Sequence, residues 1–275
     1  LAPEVFEPLR QVGAQFHASA NGVTASKAAF DIIEEAEAVA SPGTDACPDM
    51  ARTDIVLDGL GVRARGAWAP APTNGVIAPG VVTALSGPSG AGKSTIIACL
   101  LADMTPEAGR VLLRPSSSVS GGSILSDIDP ATWRRQISWA PQAPTLVPGT
   151  ILDNMGDLPL DDLNDAAVAT GFDDVLASAP DGWNTVIGSG GVGLSVGQRQ
   201  RLALTRALAA HSQVVILDEP TAHLDAVSEE TVVRAIDAMR DAGRTVIVIA
   251  HRAAMMEAAD AIIDVRSAAD EEARA

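Results

Sequence analysis

Long apolar runs are missing from this sequence, although apolar residues make up 47% of its 275 positions. A membrane-spanning helix needs roughly 18 or more consecutive, predominantly apolar residues, and no stretch reaches that length. The chain starts at Leu1 rather than at a methionine, and it lacks the basic start and the cleavage site of a signal peptide. We therefore expect a globular domain that forms part of a longer protein.

Lysine is almost absent, and acidic residues dominate the charge. Lys27 and Lys93 are the two lysines of the sequence, and the formal net charge is −16. A protein that binds the phosphate backbone of a nucleic acid needs clustered cations, so nucleic acid is not the expected partner. A mononucleotide is not excluded, because its site needs only backbone N–H groups and one or two local cations.

Cysteine is equally scarce. Cys47 and Cys99 match no metal-binding spacing and form no disulfide framework. A reducing compartment such as the cytoplasm is the default expectation for such a chain.

The pattern of the sequence predicts three parts. In residues 1–53, apolar side chains recur at helical steps up to about residue 37, and a linker rich in proline, glycine and aspartate follows from Ser41. Residues 54–266 form the body, and residues 267–275 form an acidic tail.

The body has the pattern of an α/β fold. Apolar strands are predicted at residues 81–85, 214–217 and 245–250, and such uninterrupted strands fit a parallel sheet that is covered on both faces. The segments between residues 153 and 179 are helical and acid-capped, so they predict a helical insertion.

A glycine-rich segment follows the first of these strands and precedes a helical pattern. Residues 87–94 match G-x-x-x-x-G-K-[ST] at every position. Backbone N–H groups and the positive end of the helix dipole face phosphate in such a loop. Lys93 can reach the β- and γ-phosphates, Ser94 can ligate Mg²⁺, and Thr95 can donate to the α-phosphate. We predict a nucleotide site formed by Gly87, Pro88, Ser89, Gly90, Ala91, Gly92, Lys93, Ser94 and Thr95; a chance glycine-rich turn is the alternative.

The second apolar strand ends in two acids, Asp218 and Glu219. Carboxylates at the carboxyl end of a strand lie beside the phosphate loop in this architecture. We predict that Asp218 holds Mg²⁺ through water and that Glu219 polarises the attacking water. An ordinary helix cap is the alternative interpretation of an Asp-Glu pair.

The run Leu194-Ser195-Val196-Gly197-Gln198 resembles the Leu-Ser-Gly-Gly-Gln signature of the ABC transporter ATPase family. The resemblance implies that Ser195, Gly197 and Gln198 close over ATP that is held by another subunit, from a helix N-terminus. Val196 stands where the family usually has a glycine, which implies weakened contacts.

Three further residues match the family in order along the chain. Gln142 matches the Q-loop glutamine, which senses the γ-phosphate side of Mg²⁺. Asp225, in Ala222-His223-Leu224-Asp225, matches the D-loop, and His251 matches the switch histidine that contacts the γ-phosphate. The resemblance assigns catalysis to Glu219 and His251, nucleotide contacts to Gln142 and Asp225, and the metal to Ser94, Gln142 and Asp218.

The fold implied by the resemblance is a P-loop NTPase cassette. It has a mainly parallel core sheet, an antiparallel β subdomain, and a helical subdomain at about residues 150–212. The implied activity is ATP hydrolysis, with ATP and Mg²⁺ bound.

Two segments resemble exporters in particular. Residues 144–155 look like the exporter form of the stretch that follows the glutamine, and residues 1–13 look like the last membrane helix of an exporter half. With the signature region, the likeness extends to the CydD half of the bacterial cysteine/glutathione exporter. It implies thiol export for cytochrome bd assembly, a membrane domain on the same polypeptide, a CydC-like second half in a heterodimer, and a place at the cytoplasmic face of the bacterial cell membrane.

Alternatives to this interpretation stay open. A lipid or drug exporter is one, and a soluble ABC ATPase or a non-hydrolysing regulatory cassette is another. The sequence has no tyrosine, although the family stacks an aromatic ring on adenine shortly before the phosphate loop. Trp68 is a candidate for that role, and packing within its own loop is the alternative. Residues 185–191 also lack the Glu and Arg that many exporters carry there.

Overall fold

The computed structural model describes residues 43–64, 66–221, 226–250 and 252–272. The predicted helix within residues 1–37, Asp225 and His251 lie outside these residues, as do residues 273–275 of the predicted tail. The domain boundaries at residues 53 and 266 stay predictions.

Helices and strands alternate along most of the described chain. The strands are β1 (Thr53–Gly61), β2 (Arg63–Ala64), β3 (Ala67–Trp68), β4 (Thr73–Ile77), β5 (Val82–Ser86), β6 (Ala108–Pro115), β7 (Ser123–Ile124), β8 (Ile137–Ala140), β9 (Gly149–Thr150), β10 (Val186–Ile187), β11 (Val214–Asp218), β12 (Thr245–Ile249) and β13 (Ala261–Asp264). The helices are α1 (Lys93–Leu100), α2 (Pro130–Arg134), α3 (Leu160–Thr170), α4 (Asp173–Ser178), α5 (Val196–Ala209), α6 (Ala226–Asp241), α7 (Ala253–Glu257) and α8 (Ala268–Glu272). The three apolar strands predicted from the sequence are present as β5, β11 and β12.

The central sheet consists of parallel strands in the order β13-β5-β12-β11-β8. Alternate side chains of its inner strands enter two different cores: Val214 and Ile216 face one, whereas Val215 and Leu217 face the other. Both faces are therefore buried, which explains why the sequence of these strands is continuously apolar.

Different elements cover the two faces. The first core contains side chains of α1 and of an antiparallel sheet with the order β4-β1-β6-β7. The second core contains side chains of α5, α6 and α7. The helical part of the chain has a third core, in which Phe172 and Leu163 pack against Leu202 of α5. The predicted α/β class, with a mainly parallel core sheet, an antiparallel β subdomain and a helical subdomain, is confirmed.

Residues 43–52, which the sequence predicts to be a linker, pack along the segment before β8. Asp45 forms a parallel bridge with Ile128, and its backbone N–H donates to the carbonyl oxygen of Asp127 at 2.9 Å. Met50 is buried in the first core. This stretch therefore packs as part of the folded domain, although its composition is typical of a linker.

A single arginine links the end of α5 to the central sheet through hydrogen bonds. Arg244 lies directly before β12 and is 5% exposed. Its guanidinium donates hydrogen bonds of 2.7–2.9 Å to the carbonyl oxygens of Ala207, Leu208 and Ser212. Carbonyls at the end of a helix have no partner within the helix, so this side chain satisfies them where water is excluded.

Both cysteines are free thiols, as the sequence predicts. Burial raises the pKa of Cys47 and of Cys99 to about 11. Among the described residues, no helix has the length and apolar character needed to cross a bilayer.

Replacing Arg244 by methionine should lower the free energy of unfolding by about 2–4 kcal/mol, because three carbonyl oxygens lose their donor. Urea unfolding measures this loss. The control is Arg110→Met, which removes an ion pair with Asp58 in which both side chains are about half exposed; it should change the free energy by less than about 1 kcal/mol. Equal losses in the two variants would contradict the capping role.

Candidate nucleotide site

The glycine-rich loop, Gln142, Asp218 and Glu219 gather at one edge of the central sheet. Strands β5, β8, β11 and β12 run parallel, so their carboxyl ends meet at that edge. The glycine-rich loop follows β5, Gln142 lies two residues after β8, and Asp218 ends β11. In open α/β sheets this edge is where ligands bind.

The glycine-rich loop leads directly into α1. Gly87, Gly90 and Gly92 have φ angles of +152°, +81° and +100°, values that favour glycine. Gly92 is the N-cap of α1, and no side chain caps this helix. The first backbone N–H groups of α1, at Lys93, Ser94 and Thr95, therefore face the loop and are available to an anion.

Two of these glycines are also required by close backbone packing. A Cβ atom at Gly92 would overlap the backbone of Ala69 and Pro70, and one at Gly87 would overlap the carbonyl oxygen of Val265. Around Gly90, by contrast, a Cβ would meet open space. The segments after β3 and after β13 therefore form walls on the phosphate loop, which the sequence alone does not indicate.

Lys93 supplies the cation of the site. Its side chain is 6% exposed, and Nζ donates to the carbonyl oxygens of Gly87 and Pro88 at 2.8 Å each. Burial lowers the pKa of Lys93, whereas the nearby carboxylates of Glu219, Asp218 and Asp270 act in the opposite direction. Three features of this loop together fit the phosphate chain of a nucleotide. They are its cation, the free N–H groups at the start of a helix, and the glycines that keep the backbone open.

Glu219 and Gln142 are in direct contact. The side-chain Nε2 of Gln142 donates to Oε2 of Glu219 at 2.8 Å. Glu219 has a φ of +49°, a left-handed conformation that costs a non-glycine residue about 1–2 kcal/mol. Such strain is retained at functional sites where the surroundings fix it. Glu219 is held here between the buried strand β11 and Pro220, which is also buried.

The signature residues lie at the start of α5. Ser195 is its N-cap: its Oγ accepts from the backbone N–H of Gln198 at 3.2 Å, and Oε1 of Gln198 accepts from the N–H of Ser195 at 2.8 Å. Val196 is 52% exposed. In the part of the chain that the structure describes, no hydrogen bond or ion pair joins Ser195, Gly197 or Gln198 to residues 87–95.

Trp68 lies in the short β2–β3 pair, next to the wall formed by Ala69 and Pro70. The guanidinium carbon of Arg63 is 4.7 Å from the centre of its ring, within the range of a cation–π contact. Trp68 also packs against Gly61. These contacts with its own hairpin agree with the loop-packing alternative. Because Trp68 also lies near the phosphate loop, stacking of Trp68 on adenine stays a prediction.

The sequence reasoning missed the acid on the last helix. Asp270 accepts from the backbone N–H and the hydroxyl of Ser267 at 2.8 and 2.6 Å, which caps α8. The carboxylate acts on the pKa of Lys93, so α8 lies near the phosphate loop. The Ser-x-x-Asp spacing is a capping pattern, but it does not predict which part of the molecule the helix approaches.

Comparisons with known proteins find similarity to transporter proteins. The family described as "ABC transporter" matches residues 72–222. The ATP-dependent lipid A-core flippase of Cupriavidus metallidurans is 36% identical over 94% of this chain and 43% of that protein. The glutathione/L-cysteine transport system ATP-binding/permease protein CydD of Haemophilus influenzae is 34% identical over 95% of this chain and 44% of that protein.

A solved structure is similar over nearly the whole chain. It is the structure of a bacterial Atm1-family ABC exporter with ATP bound, with a TM-score of 0.74 and 26% identity, and the match covers 96% of this chain and 46% of that chain. The chain thus spans less than half the length of each of these three relatives.

Replacing Gly92 by alanine should abolish nucleotide binding and lower the free energy of unfolding by about 2–4 kcal/mol, because Cβ would overlap the backbone of the wall while φ is unfavourable. The matched control is Gly90→Ala, which has a positive φ but open space; strain alone should cost about 1–2 kcal/mol. Calorimetric titration with ATP and urea unfolding measure both effects. The packing argument fails if the two variants bind ATP equally well.

Proposed function

Because the chain belongs to the ABC transporter family, whose ATP-binding cassette it carries, we propose that its ATP hydrolysis drives an exporter of thiols such as cysteine or glutathione. The contact of Gln142 with Glu219, beside the buried cation of the phosphate loop, is the observation that carries the hydrolytic part of this proposal.

The phosphate loop would bind the triphosphate chain of ATP. Residues 87–92 would supply the curled backbone, and the N–H groups of Lys93, Ser94 and Thr95 would donate to phosphate oxygens. The ammonium of Lys93 is already directed into the loop by Gly87 and Pro88. Exchanging those two carbonyl acceptors for phosphate oxygens would give Lys93 a charged partner, which strengthens its hydrogen bonds.

The donor set beside the loop fits Mg²⁺. Oxygen ligands are those that Mg²⁺ prefers, and it is usually bound by one or two carboxylates together with substrate phosphates. Ser94, Asp218 and the amide oxygen of Gln142 would hold it, and its charge would neutralise the phosphate oxygens.

Glu219 would act as the general base of hydrolysis. Gln142 donates to one of its carboxylate oxygens, and the backbone at Glu219 is held in a left-handed conformation. A carboxylate held in this way can orient and polarise the attacking water. His251, two residues after Ile249 at the end of the neighbouring strand β12, would contact the γ-phosphate.

The signature would act on a nucleotide held by a second cassette. Ser195 and Val196 at the start of α5 are exposed, and an exposed helix start can bind phosphate. A heterodimer with a CydC-like half is the partner that we propose, with Asp225 at the contact between the halves, a membrane domain on the same polypeptide, and the cassette on the cytoplasmic face of a bacterial membrane.

The cargo is proposed from resemblance. The likeness of residues 1–35 and of the signature region to CydD supports thiols, and the similarity to the protein CydD of Haemophilus influenzae agrees with it. A lipid exporter is the second candidate, because the lipid A-core flippase of Cupriavidus metallidurans is at least as similar.

Glu219→Gln should leave ATP binding intact and lower ATP turnover by about 10²- to 10⁴-fold, because a neutral amide cannot accept the proton of the attacking water. The control is Glu257→Gln, at an exposed position at the end of α7, which should not change turnover. Binding is measured by calorimetry and turnover by phosphate release. Unchanged turnover in Glu219→Gln would falsify the assignment of the base.

In the full-length protein reconstituted in liposomes with its partner half, cysteine or reduced glutathione should raise ATP turnover, because bound cargo favours closure of the cassettes. Lipid A and amphipathic drugs serve as comparison cargoes. Stimulation by either of these in place of thiols would replace the thiol proposal and leave the ATPase assignment standing.

A further inference from the structure

A buried side-chain amide on α5 has a donor without an acceptor. Gln200 is 4% exposed, and its Nε2 is buried and donates no hydrogen bond within the described residues. An unpaired buried donor costs free energy that an apolar side chain of the same size would not cost. Burial alone therefore does not explain why an amide stands at this position.

Helical spacing places Gln200 on the face of α5 that packs against the central sheet. The next residues on this face follow three, four and seven positions later, and they are buried in the second core: Ala203, Leu204 and Ala207. The same core contains Ala140, with which β8 ends. The amide of Gln200 thus faces the sheet one turn before side chains that share a core with the end of β8.

The direction of α5 brings Gln200 to the carboxyl ends of the strands. The hydroxyl oxygens of Ser138, near the start of β8, and Ser212, three residues after α5, are 2.7 Å apart. Arg244 holds the same end of the helix. Because α5 therefore runs antiparallel to β8, its first turns lie at the end of β8 that leads to Gln142.

Unused acceptors follow β8 at this end. The carbonyl oxygens of Pro141 and Gln142 accept no hydrogen bond from other groups in the described part of the chain. The side chain of Gln142 donates to Glu219 at 2.8 Å. The donor of Gln200 and the carbonyls beside Gln142 are thus the two halves of a hydrogen bond that this arrangement of the chain leaves unmade.

We propose that Gln200 is a positioning residue of ATP hydrolysis: when Mg-ATP is bound, its Nε2 donates to the backbone carbonyl of Pro141 or Gln142 and fixes the segment that carries Gln142. This inference rests on the proposed hydrolytic function. Because Gln142 holds a carboxylate oxygen of Glu219, a fixed Gln142 keeps the proposed base in one orientation. Gln200 acts through these residues and not on the nucleotide, so loss of its donor lowers kcat and leaves the KM for ATP nearly unchanged.

Gln200→Met keeps the approximate length of the side chain and removes its amide. In the full-length protein with its partner half, it should lower kcat by about 10- to 100-fold, as expected for a small misplacement of a catalytic group, with KM changed less than about threefold. The same change should raise the urea midpoint of unfolding, because an apolar group replaces an unpaired buried donor. A loss of activity combined with a gain in stability is not expected of a side chain that only maintains the structure.

Thr83→Val is the matched control. Thr83 is fully buried in β5, and its Oγ1 also has no partner within the described residues. Its neighbours Val82 and Ala84 enter the second core, so Thr83 points to the face of the sheet opposite α5. Thr83→Val should raise the urea midpoint as Gln200→Met does, but kcat should stay unchanged.

A structure with a non-hydrolysable ATP analogue and Mg²⁺ tests the hydrogen bond directly and requires no change at Gln200. Nε2 of Gln200 should lie about 3 Å from the carbonyl oxygen of Pro141 or Gln142. An Nε2 that stays unpaired, or that donates only to water, overturns the inference. This measurement also keeps the proposal testable if Gln200→Met fails to fold.

The outcomes are distinguishable. If Glu219→Gln leaves turnover unchanged, the proposed role of the base is wrong. If Glu219→Gln stops turnover while Gln200→Met has the same kcat as Thr83→Val, this inference is wrong and the ATPase assignment stands. Equal losses of ATP binding and turnover in Gln200→Met, with a lower urea midpoint, also overturn it, because they indicate a structural role.

Discussion

The parallel pairing of β5, β12, β11 and β8 is the constraint on which the candidate site depends. Because the strands run the same way, the residues that follow them are brought to one edge, although Gly87 and Asp218 are far apart in sequence. The burial of both faces holds this edge rigid. Lys93, Asp218, Glu219 and Gln142 can then be positioned within reach of one another by loops of only a few residues.

Charge sets a second condition on the site. A net charge of −16 repels a polyphosphate at long range, so attraction has to be generated locally. The means on this chain are the buried ammonium of Lys93 and the N–H groups at the start of α1, and the proposed function adds a divalent metal beside Asp218. Asp270 and Glu219 further increase the negative charge around Lys93, so the proposed metal would supply a larger share of the attraction than it would in a basic protein.

Local patterns were enough to predict much of this molecule. The glycine-rich loop, its flanking strand and helix, and the acids after β11 are encoded in runs of fewer than ten residues, and these features are present. The contact between Gln142 and Glu219 was not predictable, because it joins segments that are far apart in sequence. The same holds for the approach of Pro70 to Gly92, for the packing of residues 43–52, and for the burial of the Gln200 amide. Each depends on how the sheet and its connections are assembled.

The guanidinium of Arg244 has a mechanical consequence for α5. It holds the carboxyl-terminal end of a 14-residue helix, which is ~21 Å long, while Ser195 stands at the opposite, exposed end. If α5 rotates as a rigid body about this anchored end, the displacement of its other end grows with the length of the helix. A rotation of about 5° then moves Ser195 by roughly 2 Å, which is enough to form or break a hydrogen bond.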